Sequence, residues 1–328
     1  MTRRLVLGTL VVMDALAAAA GTAQQGGAGG GQSAPSAAAI QAEKIRDNLY
    51  VLRGGGRTVE IGGVRIPQAG TTAAFITAGG VVLVDTKLPG WGKPIIDKLR
   101  EITDKPVVTI INTHTHFDHV GGNVEFPANV EVVAQENTAK LMQEMRPVTG
   151  VPVPMPNLFK ESGGRGLPTR TFTDRMTIGS GSDRIDLYYF GRAHTSGDAW
   201  VVFPAVRVLH AGDAFAGKGV PPLDANNGAS GVEYPQTIAR ALEALTNVDT
   251  VITGHYHTTL TMADLRVYGD FIREFVDAVQ GAKRAGRTID DFVSAWRIPD
   301  RFLKEGYAST EHLRSIRSDV EVIWNETK

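Results

Sequence analysis

The sequence predicts an α/β fold with two β-rich halves, roughly residues 45–145 and 171–257, each carrying helices, and then a helical tail. Three observations carry that expectation. Short β-branched runs alternate with helical stretches on both sides of a Pro- and Gly-rich break at 147–170. One run, Val107–Ile111, is continuously apolar, as a strand buried on both faces requires. From Thr261 onward, Leu265, Tyr268, Ile272, Phe275 and Val279 share one helical face and form a packing stripe.

The elements follow in order. Leu49–Arg53 reads as a strand ending in the Gly-rich turn Gly54–Gly56. Ala73–Thr77 and Val81–Asp85 flank Ala78-Gly79-Gly80, which marks a hairpin. Trp91–Ile102 carries Ile95, Ile96, Leu99 and Ile102 at helical spacing, with Pro94 in its first turn. Val130–Val133 is a short strand and Asn137–Met145 a helix. The break at 147–170 is a long loop of the kind that covers binding sites. Beyond it, Thr171–Ile178, Arg184–Phe190, Ala199–Phe203 and Arg207–His210 read as consecutive strands. Pro235–Leu245 is a helix and Thr250–Thr253 a strand. No short-period repeat is present.

The N-terminus has a different character. Arg3 and Arg4 precede an apolar run, Leu5 to Ala20, and Gly21 to Ala23 are small. This is the layout of a signal peptide over residues 1–23, so a periplasmic or secreted protein is expected. The Arg pair is compatible with the twin-arginine route as well as the general one. Residues 24–44 read as a flexible linker. The main domain then covers 45–260, with a helical C-terminal extension, 261–328, packed on it. No later stretch has the ~20 uninterrupted apolar residues that a bilayer span needs.

Composition narrows the function. With 328 residues and 42% hydrophobic content, a sizeable core is available and global disorder is excluded. Lys plus Arg is 34 against 35 for Asp plus Glu, which leaves no basic domain for nucleic acid. Cysteine is absent, which excludes disulfides, thiolate metal sites, iron–sulfur clusters and a Cys nucleophile.

Five of the 8 histidines, His114, His116, His119, His194 and His255, lie in a few loops that follow strands. Asn112-Thr113-His114-Thr115-His116-Phe117-Asp118-His119 comes directly after the buried strand 107–111. His194 lies in Gly-Arg-Ala-His-Thr, Asp213 in His-Ala-Gly-Asp, and His255 in Gly-His-Tyr-His. Residues i and i+2 of an extended segment point to the same side, so His114 and His116 can reach one metal. Asp118 and His119, past the bend, can reach a second position nearby. Imidazole and carboxylate suit zinc, and also iron or manganese.

His-x-His-x-Asp-His after a strand resembles the signature of the metallo-β-lactamase fold superfamily, and the later His194, Asp213 and His255 match its ligand order. The resemblance covers about residues 45–260. It implies a four-layer αβ/βα sandwich with a metal centre at one edge of the two sheets. By that likeness His114, His116 and His194 hold the first of two Zn²⁺ ions, and Asp118, His119 and His255 the second. Asp213 bridges them, as in glyoxalase II-like hydrolases; typical zinc β-lactamases carry Cys or Ser there. Asp85 matches a buried supporting carboxylate of the family.

The implied activity is binuclear zinc-dependent hydrolysis of an ester, thioester, lactone or amide through a metal-bound hydroxide, with Asp118 as the catalytic residue that orients the nucleophile and moves its proton. The alternatives are a β-lactamase, a mononuclear iron oxygenase on the same fold, and a non-catalytic metal-binding protein. The expected partner is a small-molecule substrate. Its specificity is expected from loops 54–70, 147–170 and 214–234, with Ile61, Val64, Ile66, Met155, Leu158, Phe159, Phe215, Leu223 and Tyr234 on the rim. Arg57, Arg65, Lys160, Arg165 and Lys218 are candidate anchors for a substrate carboxylate. His210 and His257 stand near the ligands, and His312 lies in the tail.

Overall fold

The computed structural model describes residues 35–54, 59–61, 64–66, 69–151, 156–308 and 315–328, with 59–61 and 64–66 as backbone only. The expected signal peptide and most of the expected linker lie outside the described residues, as does His312.

Strands β1 (Ile40–Arg46) and β2 (Leu49–Gly54) open the chain, and β3 (Val59–Ile61) with β4 (Val64–Ile66) forms a separate hairpin. Then come β5 (Thr72–Ile76), β6 (Val81–Val84), β7 (Val107–Ile111), β8 (Glu131–Gln135) and β9 (Arg170–Phe172). The first sheet has seven strands in the order β1-β2-β5-β6-β7-β8-β9. Its pairings are antiparallel as far as β5–β6, and parallel from β6–β7 onward. The second sheet has six strands in sequence order: β10 (Arg175–Ile178), β11 (Ile185–Tyr188), β12 (Trp200–Phe203), β13 (Val208–His210), β14 (Thr250–Ile252) and β15 (Leu260–Thr261). Only β13 and β14 pair in parallel there, and the crossover between them carries helix α5 (Tyr234–Ala244).

Side-chain alternation along each strand builds the layers. Val82 and Val84 of β6 face the second sheet, where Val201 and Phe203 of β12 meet them in a shared core. Val81 and Leu83 face the other way, onto Ile95 and Leu99 of helix α1 (Gly92–Arg100). Trp200 and Val202 of β12 likewise turn outward, into the core formed with helix α5 and helix α6 (Met262–Arg284). The result is the expected four-layer αβ/βα sandwich. All five residues of the predicted stripe on α6 are buried. Short helices complete the chain: α2 (Phe117–Val120), α3 (Glu136–Glu144) and α4 (Leu158–Glu161) near the first sheet, then α7 (Ile289–Ala295), α8 (Asp300–Lys304) and α9 (Arg317–Glu326).

Three expectations need correction. The linker expected to run to residue 44 gives way to β1 at Ile40. That strand buries only Ile40 fully and otherwise shows exposed or half-exposed residues, so its sequence lacks the alternation of a core strand. The single strand expected over Thr171–Ile178 is two strands in different sheets. Phe172 closes β9 in the inter-sheet core, and the chain crosses at Thr173-Asp174 to begin β10. A continuous run of β-favouring residues hides that change of partner. The loop at 147–170 contains α4, whose Phe159 is buried against Val120, Met142 and Met145 rather than on a rim.

Phe75 and Phe203 are both fully buried, and their ring centroids lie 4.9 Å apart across the two sheets. Phe75→Ala is expected to cost about 3–5 kcal/mol in urea unfolding, the usual price of a large cavity. A cost below about 1 kcal/mol would show that the sheets do not share this core.

Candidate metal centre

Parallel pairing of β6 with β7, and of β13 with β14, sends their C-terminal loops toward a common edge. The turn after β7 carries His114, His116, Asp118 and His119. His194 follows β11, Asp213 follows β13 and His255 follows β14. The structure brings all seven together. Ligand-type atoms of His114, His116, His194 and Asp213 all lie within 4.8 Å of one another, and so do those of Asp118, His119 and His255. Asp213 faces both groups: Oδ2 is 3.6 Å from His194 Nε2 and 3.2 Å from His255 Nε2, and Oδ1 is 3.3 Å from His119 Nε2.

Four imidazoles are oriented through one nitrogen and leave the other aimed inward. His114 Nδ1 meets Thr113 Oγ1 at 3.0 Å, His116 Nε2 meets Asp224 Oδ2 at 2.7 Å, His119 Nδ1 meets Asp85 Oδ2 at 2.7 Å, and His194 Nδ1 meets the Pro222 carbonyl at 2.5 Å. With protons on the nitrogens facing Asp224 and Pro222, His116 Nδ1 and His194 Nε2 present lone pairs to each other at 2.9 Å. Two lone pairs at that distance repel unless a proton or a metal cation lies between them. His114 Nε2 and Asp213 Oδ1 are buried and make no hydrogen bond, which is costly for polar atoms. The donor set therefore fits divalent cations, and the outward hydrogen bonds are those that orient metal-binding histidines.

The charges point the same way. Burial opposes the charge on His119, yet Asp213, Asp118 and Asp85 hold its pKa well above the usual histidine value. Burial also opposes the charge on His255, which Asp213 and Asp118 raise to about 10. Burial disfavours the Asp118 carboxylate, but His119 and His255 pull it down to about 2. Burial drives His114 well below its ordinary value and His194 to about 4, so these two are neutral donors. Positive charge is thus favoured beside Asp118 and Asp213, where protonated His119 and His255 or divalent ions would supply it.

Backbone approach is tight. A Cβ on Gly70 would run into the His119 ring, and one on Gly254 into the Asp213 carboxylate. Asp85 sits in the left-handed region at φ 61°, fully buried, and also accepts hydrogen bonds from Thr113 N and Oγ1.

Sequence reasoning missed Asp224. It accepts from Thr149 N and Oγ1 as well as contacting His116, and it lies 108 residues from that histidine with no motif to announce it. His210 packs in the interior against Thr71 O, and His257 is exposed beside the Tyr256 ring.

A cavity of about 400 Å³ opens over the centre, with Leu88, Phe117, Val148, Val151, Val220 and Tyr256 in its wall. Leu223 lines it as expected. Phe215 and Tyr234 do not, a second correction to the rim. Phe215 stacks on Tyr268 in the helical core, and the buried Tyr234 hydroxyl donates to the Asp213 and Ala214 carbonyls. Lys160 and Arg165 are exposed and stand outside the wall, whereas Lys218 is part of it. Arg57 and Met155, and the side chains of Ile61, Val64, Arg65 and Ile66, fall outside the described residues.

Fold and site define a metal-dependent hydrolase of α/β-sandwich type. Residues 67–255 match the metallo-beta-lactamase superfamily model, and the chain belongs to that superfamily. It is 26% identical over 223 residues to a type 2 metallo-beta-lactamase of Elizabethkingia meningoseptica, covering 66% of this chain and 78% of that one. It is 30% identical over 138 residues to the 2,4-dinitroanisole O-demethylase subunit alpha of a Nocardioides species, covering 41% of this chain and 38% of the relative. Among solved structures, a metallo-beta-lactamase from Pontibacter korlensis superposes with a TM-score of 0.55 at 20% identity, covering 71% of this chain and 99% of that one.

Asp224→Ala leaves His116 Nε2 without its carboxylate. Affinity for the first metal ion is expected to fall by about 10–100-fold in competition with a chelator. Unchanged affinity would show that Asp224 does not orient that ligand.

Proposed function

We propose that this chain hydrolyses an ester, thioester, lactone or amide in a small molecule, at two divalent cations, zinc first among the candidates with iron or manganese as alternatives. The observation that carries this reading is the pair of adjacent donor groups that share Asp213. His114, His116 and His194 would hold one ion, Asp118, His119 and His255 the other, with Asp213 between them. When bound, ions held there would supply Lewis acidity, lowering the pKa of a water toward about 7 and polarising the substrate carbonyl.

The remaining work falls to side chains. Asp118 lies on the cavity wall with its side chain 16% exposed, so its carboxylate can reach a reacting group. It is ionised at neutral pH, so it accepts the proton of the attacking water and returns it to the leaving oxygen or nitrogen. The apolar wall holds the non-reacting part of the substrate and limits access of bulk water. Ser196, His194 and Asp198 form no competing relay: Asp198 is committed to Thr195 N and Oγ1, and His194 points into the donor cluster.

Hydrolysis of β-lactams is the second reading, supported by the likeness to the Elizabethkingia meningoseptica enzyme. We also propose export, on the basic-then-apolar layout of residues 1–23. Among the described residues no helix is long and apolar enough to cross a membrane.

Chelation is expected to abolish hydrolysis across a panel of esters, lactones and nitrocefin, and added zinc to restore it. Asp118→Ala is expected to lower kcat/KM by about 10²–10⁴-fold with an unchanged melting temperature. A zinc-loaded protein inert on the whole panel, or a fully active Asp118→Ala variant, would refute this reading.

A further inference from the structure

We propose that the substrate part filling the 400 Å³ cavity is uncharged and apolar, and that the contact between Lys218 and Asp264 enforces this choice. The inference rests on the hydrolase reading and names its substrate class.

Each charge on the described wall is already matched from within the protein. Lys218 is the one lysine or arginine among the described lining residues. Its Nζ lies 2.8 Å from Asp264 Oδ1 and donates to the Glu305 carbonyl at 3.0 Å, with the side chain only 12% exposed. Asp224 is engaged by His116, Thr149 and Asn227. Asp118 and Asp213 face His119 and His255. A substrate carboxylate entering this space away from the metal centre would shed its water and find no unpaired cation among the described wall residues, so burial would oppose it. The apolar residues around it reward a hydrocarbon chain or ring instead.

The device that withdraws Lys218 is rigid. Asp264 also completes the capping box at the start of α6, accepting from Thr261 N at 2.9 Å and Thr261 Oγ1 at 2.7 Å. Helix α6 is anchored by Leu265, Tyr268, Phe271 and Ile272, all buried. The Lys218 carbonyl in turn accepts from Ala308 N. The helices after β15 thereby keep the Lys218 ammonium engaged with Asp264 and the Glu305 carbonyl, and so set specificity without touching the reacting bond.

The test uses the zinc-loaded full chain and two matched pairs that differ by a remote carboxylate. The first pair is 4-nitrophenyl pentanoate and the glutarate mono-4-nitrophenyl ester. The second is the non-hydrolysable 2-hexanone and 5-oxohexanoate, followed by calorimetry. The neutral member of each pair is expected to win by at least about tenfold, in kcat/KM and in Kd respectively. Asp264→Asn keeps an oxygen for the helix cap but removes the charge that holds Lys218, so the preference is expected to narrow by about threefold or more. Asp264→Ser serves the same comparison if the Asn variant does not fold. Equal or better handling of the charged members by the wild type would overturn the proposal. So would a preference unchanged in the Asp264 variant. A protein that binds 2-hexanone selectively but cleaves neither ester would refute the hydrolase reading and leave the cavity assignment standing.

Discussion

The burial of Asp213 between two groups of imidazoles is the constraint around which the rest of the structure is arranged. A carboxylate in that position, nearly out of solvent, is tolerable only if positive charge stands on both sides of it. Meeting that condition requires residues from the ends of four strands in two sheets. The parallel pairings that turn β6, β7, β13 and β14 the same way supply the geometry. The glycines at 70 and 254 then let neighbouring backbone close on the cluster. The sandwich core, with Phe75 on Phe203, keeps the two edges in register.

Around this centre the protein spends many hydrogen bonds on orientation. Asp85, Asp224, Thr113 and the Pro222 carbonyl each fix the far nitrogen of one imidazole. Asp224 belongs to the loop after β13, and its neighbour Leu223 donates its N–H to Asp319 of helix α9 at 2.7 Å. The C-terminal helices therefore support the first donor group as well as the cavity wall. On the proposed reading, metal affinity and substrate choice share one structural support, although the residues that would carry them are far apart in sequence.

Much of this was legible before folding. The His-x-His-x-Asp-His run announces its chemistry because ligands at i and i+2 share a side of an extended segment, and His194, Asp213 and His255 follow strands in a recognisable order. The stripe on α6 was equally plain, since apolar spacing at 3.6 residues survives any tertiary context. What was not legible depends on long-range contact. Asp224 carries no local pattern, and its role exists only because the chain returns to His116. Phe215 and Tyr234 read as rim residues because large side chains near a site look alike in sequence whether they face the cavity or the core behind it. The crossing at Thr173-Asp174 was hidden because β-propensity reports a strand and not its sheet.

Anomalous diffraction from crystals of the protein loaded with zinc tests the central claim most directly. Two peaks about 3.5–4 Å apart are expected. One should lie against His114, His116 and His194, the other against Asp118, His119 and His255, with Asp213 touching both. A single peak, or a second one away from Asp213, would contradict it.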